Sequence, residues 1–207
     1  MSKPVLYGHP FSSYCQKVTI ALFETGTPFE WRRIEDAAGF ADLRRMWPIG
    51  LMPVLVDGGA TVIESSIIIE HVAPQLVPSL EVRFLDRFFD NYVMTPMQKV
   101  VGDFLRTESE RDPRGVTDAK ARLEVSYAWL DDRLKGKRWT AGNAFTLADC
   151  AAAPSLLYAD WVHPIAERFA ATRALRAQLL GRPSVSRAVE EARPFRSFFP
   201  PGAPDRD

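Results

Sequence analysis

The rhythm of apolar and polar positions changes near Pro78. Before it, short runs mix two periods. Val5-Leu6-Tyr7 predicts a strand, Tyr14 to Thr25 a helix, and Phe29 to Ile34 a second strand. Gly26 stands where a left-handed residue ends a helix. Val54-Leu55-Val56 and Thr61-Val62-Ile63 flank Asp57-Gly58-Gly59, which predicts a hairpin. After Pro78 the strand signals almost vanish. Phe84, Leu85, Phe88, Phe89, Tyr92 and Val93 recur at helical spacing within Val82 to Thr107, as do Leu123, Tyr127, Leu130 and Leu134 within Asp118 to Lys135. Pro74 to Ser79 reads as a connection and Ser109 to Gly115 as a polar turn. The chain thus divides into an α/β part at residues 1–76, a linker at 77–80 and an all-helical part at 81–207.

Three local features carry more than packing. Pro53 opens an apolar strand although it cannot donate to a ladder, which places it at a strand start or an edge. A cis bond there would turn backbone groups outward, and such an edge can bind a peptide. Glu64-Ser65-Ser66 precedes Ile67-Ile68-Ile69, so an acid and two hydroxyls stand at a helix start, where free N–H groups receive anions. Thr146-Leu147-Ala148-Asp149 has capping-box spacing and begins a helix over Leu147 to Asp160. Asp149 is therefore read as a folding element, with Cys150 and Ala151-Ala152-Ala153 behind it as close-packed core.

Composition narrows the function. With 207 residues and 46% hydrophobic content the chain can bury a core, and 26 basic residues balance 26 acidic ones. No basic stripe interleaved with aromatics suggests nucleic acid, and no run of about 18 apolar residues suggests a membrane span. Met1-Ser2-Lys3-Pro4 leads directly into the first strand, so the expected location is the cytoplasm. Cys15 and Cys150 make neither a disulfide framework nor a metal set.

Together, Met52-Pro53, Glu64-Ser65, the Thr146 to Asp149 box, and Ala188 to Ala192 after Arg182-Pro183-Ser184-Val185 resemble the cytosolic glutathione transferase superfamily, over nearly the whole chain. The resemblance implies an α/β thioredoxin-like N-terminal domain plus an all-α C-terminal domain, glutathione as co-substrate, no metal, and a homodimer, with the face carrying Phe84, Phe88 and Phe89 available to the partner. Trp47-Pro48-Ile49-Gly50 departs from the family, which often has Asn-Pro before the glycine of that loop.

Carried onto this sequence, the family pattern assigns roles. Ser12-Ser13-Tyr14-Cys15 looks like a Cys-x-x-Cys motif whose first cysteine has become serine, a serine-type pattern in which Ser12 donates a hydrogen bond to the glutathione thiolate. Tyr7, Ser13 and Cys15 are the alternatives. Met52, beside Pro53, would pair through its backbone with the cysteinyl unit; Ser65 would take the γ-glutamyl carboxylate and Glu64 the α-amino group. Arg44, Arg45 and Lys17 are candidates for the glycyl carboxylate, and Phe11 joins Lys17 and Arg44 in the glutathione set. The electrophile pocket would lie between the domains, lined by His9, Phe11, Tyr92, Met94 and Met97. Asp86 and Asp90, one turn apart beside Asn91, read as a solvated helix face.

The leading function is conjugation of glutathione to a small hydrophobic electrophile, as in detoxification. Two others stand beside it: thiol–disulfide exchange or peroxide reduction through Cys15, and a non-catalytic interaction module.

Overall fold

The computed structural model describes residues 3–207; Met1 and Ser2, the start of the lead-in read from the sequence, lie outside them. Four short strands form one sheet in the order β2-β1-β3-β4: β1 (Val5–Gly8), β2 (Glu30–Arg33), β3 (Val54–Asp57) and β4 (Ala60–Ile63). β1 runs parallel to β2 and antiparallel to β3, and β3 pairs antiparallel with β4. The parallel pair needs a crossover, supplied by α1 (Ser13–Thr25). The hairpin turns through Gly58 and Gly59, both at positive φ, as a tight two-residue turn requires.

Alternation along the strands sorts the two faces. Leu6 sits opposite Leu55 and Tyr7 opposite Val54. Leu6 and Leu55 face α1 and α3 (Ser65–Val72) in the main core, whereas Val54 packs with Ile34 and Leu43 on the other face, Tyr7 and Met52 lying against them. Leu43 is the sole buried residue of α2 (Ala37–Met46), a helix that the sequence pattern does not predict.

The second part is helical apart from one isolated bridge between Trp139 and Gly142. α4 (Leu80–Phe88) and α5 (Thr95–Phe104) are joined by a wider, π-type turn over Phe89–Met94. Thr95 donates both its N–H and its Oγ1 hydrogen to the Asp90 carbonyl. α6 (Pro113–Leu134), α7 (Leu147–Val162), α8 (Ala170–Leu180) and α9 (Pro183–Ala192) follow. α7 runs through the middle of the core, and every residue from Leu147 to Asp160 is buried. The Asp149 carboxylate accepts from the N–H and hydroxyl of Thr140 at 2.9 and 2.6 Å and from those of Thr146 at 2.9 and 3.1 Å, which confirms its structural role.

One core joins the two parts. α1 packs on α7 and α9, Arg182 and Ser184 hold Glu24, and the Tyr158 hydroxyl donates to the Phe11 carbonyl at 3.0 Å. That last bond ties the β1–α1 loop to α7 and so fixes one wall of the site. Among the described residues no helix is long and apolar enough to cross a membrane.

Candidate active site

The N-terminus of α1 is the point on which the site converges. Ser12 is its cap, with extended backbone and an Oγ that accepts the Cys15 N–H at 3.4 Å. As acceptor in that contact, the hydroxyl still has its own hydrogen to donate, to the Cys15 sulfur behind it or to a group in the cleft. Two cavities meet here. A cleft of about 510 Å³ is walled by Ser12, Trp47, Met52, Glu64, Ser65 and Arg87, with Pro53 and Gly50 behind them. An apolar chamber of about 360 Å³ is walled by Phe11, Ser13, Met97, Val101, Leu105 and Phe198. Ser12, Tyr14 and Gln98 line both.

The cleft offers backbone groups at its middle and side chains at one end. The Met52–Pro53 peptide is cis. Met52 lies just outside the β3 ladder, and among the described residues neither its N–H nor its C=O has a hydrogen-bond partner. At the end, Glu64 has φ of +70°, a left-handed conformation that is unusual and strained for a residue with a Cβ. Its carboxylate has no ion-pair partner among the described residues, and the Ser65 hydroxyl at the first position of α3 is likewise uncommitted, whereas Ser66 is consumed below. The helix start therefore presents one free carboxylate, one free hydroxyl and free N–H groups to the cleft.

Beneath that end lies a buried charge cluster. Lys17, 1% exposed, donates to Ser66 at 3.0 Å and to Asp90 at 2.9 Å and also pairs with Asp86. Arg87 reaches over from the cleft to Ser66, Asp86 and Asp90. Burial pushes the Asp90 carboxyl above its ordinary value, against the pull of Lys17. Asp86 and Asp90 are thus buried partners, and the solvated face read from their spacing is corrected. Helical spacing shows that two acids share a face but not what packs on it.

Lys17, held in this cluster, is not among the residues lining the cleft. Arg44 is exposed and lies against Gly50, at the cleft's rim, while Arg45 pairs with Asp42. Tyr7 packs under α2 with the Arg32 guanidinium 5.6 Å from its ring, and lines neither cavity. Cys15 is fully buried against Gly8, and a Cβ on Gly8 would lie 2.5 Å from its Sγ. Burial pushes the Cys15 thiol up to about 11, with hydrogen bonds from Ser12 and the His9 backbone opposing, so it is protonated at neutral pH. Burial likewise raises the Tyr14 hydroxyl to about 12, helped by Asp90.

Of the residues expected around an apolar pocket, Phe11 and Met97 line the chamber. His9 faces a separate cavity with Phe40, Met52, Phe195 and Phe198; Met94 is in the core; Tyr92 is exposed against Phe88. Trp47, the departure from the family pattern, also lines the cleft, and Arg87 and Gln98 join it without any expectation from the sequence. The charge order Asp86-Arg87 with Asp90 one turn on was the available signal for Arg87.

Residues 6–76 match the glutathione S-transferase N-terminal domain and residues 88–183 the C-terminal domain. The chain belongs to the cytosolic glutathione transferase superfamily. A probable glutathione S-transferase of Nicotiana tabacum is 29% identical over 159 residues, which are 73% of this chain and 69% of the relative. A stringent starvation protein A homolog of Coxiella burnetii is 26% identical over 153 residues, 73% of each chain. A glutathione S-transferase of Methylobacterium radiotolerans, solved in complex with glutathione sulfonate, superposes with a TM-score of 0.77 at 28% identity over 91% of this chain and 95% of that one. In this transferase-fold chain the cleft lies in the part matched by the N-terminal domain, except for the residues that α4, the wide turn and α5 add.

Proposed function

We propose that this protein is a glutathione transferase of the serine type, which binds glutathione in the cleft and joins its sulfur to a small hydrophobic electrophile held in the apolar chamber. The observation that carries the reading is the place of Ser12, a hydroxyl at a helix N-terminus on the boundary of both cavities. A thiol of pKa about 8.5 is mostly protonated at pH 7, and lowering it by about two units needs roughly 2.7 kcal/mol of preference for the anion. A hydrogen bond to a charged group supplies about 1.5 to 3 kcal/mol, and the helix end adds up to about 1. Those two contributions suffice.

In this reading the tripeptide adds as a short strand beside Met52, whose unpartnered N–H and C=O pair with the cysteinyl unit. Ser65 and the α3 N-terminus take the γ-glutamyl carboxylate, Glu64 takes the α-ammonium, and Arg44 at the rim meets the glycyl carboxylate. Residues 1–76 then form the glutathione-binding unit and 81–207 supply most of the chamber. We take the protein to act in the cytoplasm as a homodimer. Phe84 and Trp129 stay partly exposed on the helical face, whereas Phe88 and Phe89 are buried within the chain.

The test is Ser12→Ala. Turnover with a chlorodinitrobenzene-type acceptor should fall tenfold or more, by about 1.4 kcal/mol or more, with glutathione affinity nearly kept. An unchanged rate would remove Ser12 from the mechanism. Chemistry at Cys15 is disfavoured by its burial and raised pKa. A non-catalytic module has one observation in its favour, the relative named for stringent starvation rather than for transfer. Failure of the parent protein to bind immobilised glutathione, with no turnover of any acceptor, would establish it.

A further inference from the structure

A cavity of about 400 Å³ opens at the C-terminal end of α7 and shares no residue with the cleft or the chamber. Asp160 of α7 lines it, together with Arg173 and Arg176 of α8, Arg206 of the C-terminal tail, and Pro164 and Ile165. Its charges do not balance. Asp160 is the one acid in the lining, and its capacity is largely taken: Oδ1 accepts the Ile165 N–H at 2.8 Å, and Oδ2 is met by Arg206 and lies 3.3 Å from Arg176 Nη2. Arg206 also donates to the Asp160 carbonyl at 3.1 Å. Arg173 has no carboxylate partner among the described residues and only a long 3.4 Å contact to the Ile165 carbonyl. Asp207, which also acts on Arg176, is itself paired with Arg193 and Arg196.

Arg176 is the decisive residue. Its side chain is 13% exposed, and both Nε and Nη2 are buried without a hydrogen-bond partner. Buried donors left unmatched are rare in folded proteins, because their desolvation is not offset. Arg176 Nε is such a donor, and it belongs to a planar fork whose Nη2 meets Asp160 only as a 3.3 Å ion pair; such a fork is the arrangement that grips two oxygens of one oxyanion. Three guanidiniums against one carboxylate leave a surplus of two positive charges, which a phosphate dianion neutralises and a carboxylate does not. The volume lies in the range of small-molecule sites and exceeds what a phosphate group alone fills.

We propose that Arg173, Arg176 and Arg206 form a binding site for a phosphate dianion, separate from the transferase cleft. The ligand is either free inorganic phosphate or the phosphate group of a small phosphomonoester, and the experiment distinguishes them. The full chain is titrated by calorimetry at low ionic strength and pH 7.5 with inorganic phosphate and with glycerol phosphate, against sodium chloride at matched ionic strength. We expect saturable binding of phosphate and none of chloride. Arg173→Ala, a change at an exposed side chain that leaves the core intact, should weaken it at least about tenfold. Arg176→Lys keeps the charge but loses the fork and should weaken it similarly, while turnover with glutathione stays at the parent rate in both variants. Glycerol phosphate binding more than about tenfold tighter than phosphate assigns the site to an organic phosphate, and equal affinity assigns it to the free ion. No saturation by about 10 mM, or parent-like binding in both variants, overturns the proposal.

Discussion

Replacing Lys17 with methionine takes the ammonium from beneath the cleft and leaves Asp86 and Asp90 facing Arg87 alone. Methionine keeps the bulk of the aliphatic stem, so the change is chiefly electrostatic. At 2.9 Å and an effective dielectric constant of about 20, the attraction between Lys17 and Asp90 amounts to roughly 6 kcal/mol. The desolvation of Lys17 opposes it and Arg87 retains part of the pairing, so the expected loss is about 3 to 5 kcal/mol, the cost of orphaning a buried charge. For a chain of this length that lowers Tm by roughly 6 to 20 °C. The loss also has a pH signature. Burial already holds the Asp90 carboxyl above its ordinary value, and removing the lysine that pulls it down raises it further. An acid whose pKa is higher folded than unfolded binds its proton more readily in the folded state, so stability falls as pH rises through the folded value and returns below it. The deficit of the variant relative to the parent is therefore largest at neutral pH and above, and shrinks as pH falls toward the ordinary carboxylate value of about 4. Urea melts at several pH values measure both quantities, and adding Asp86→Asn and Asp90→Asn should restore much of the stability. A deficit under about 1 kcal/mol, as for an exposed pair, or one equal at both ends of that pH range, would refute the reasoning.

Gly8→Ala should cost about 1 to 3 kcal/mol, because the new Cβ meets Cys15 Sγ at 2.5 Å. Adding Cys15→Ala should return most of it, and thermal melts of the two singles and the double measure the coupling. Ser65→Ala should raise the KM for glutathione about tenfold, the loss of one hydrogen bond to a carboxylate, with kcat little changed; steady-state kinetics that show the reverse split would contradict its placement at the γ-glutamyl end.

Elements with strong apolar periodicity were legible in the sequence, and those without it were not. The strand over Val5-Leu6-Tyr7, the helix ending at Gly26 and the Asp57-Gly58-Gly59 hairpin appear within a residue or two of their expected bounds. α2 stayed hidden because only Leu43 of its ten residues is buried, which leaves no stripe to detect. α8 buries Thr172, Leu175 and Leu179 at helical spacing, a short stripe in which one of the three is polar. The polar turn expected over Ser109 to Gly115 ends early, since Asp112 caps α6 and Pro113 opens it. Within the site, Met52, Pro53, Glu64, Ser65 and Ser12 come together in one cleft because each is fixed by a local device, a strand start, a helix start or a cap. Arg87 and Gln98 reach the same cleft from separate helices and Trp47 from the cap that ends α2, while Lys17 leaves it for a buried cluster. Those placements depend on how helices pack, which spacing along one chain does not encode.

The wide turn over Phe89–Met94 sets an angular offset between two working surfaces on one rod. Asp86 just before the turn and Asp90 at its start point toward Lys17; downstream, Met97, Gln98 and Val101 point toward the chamber. An α-helix advances about 100° per residue, and a π-type turn absorbs one residue more than an α-turn over the same stretch. The extra residue acts as a dial: closing the turn to an α-turn with every residue kept would swing the acceptor wall about 100°, roughly a quarter turn, away from Ser12. Loss of a single residue between Asp90 and Met97, by contrast, would remove the bulge and leave both surfaces facing as they do.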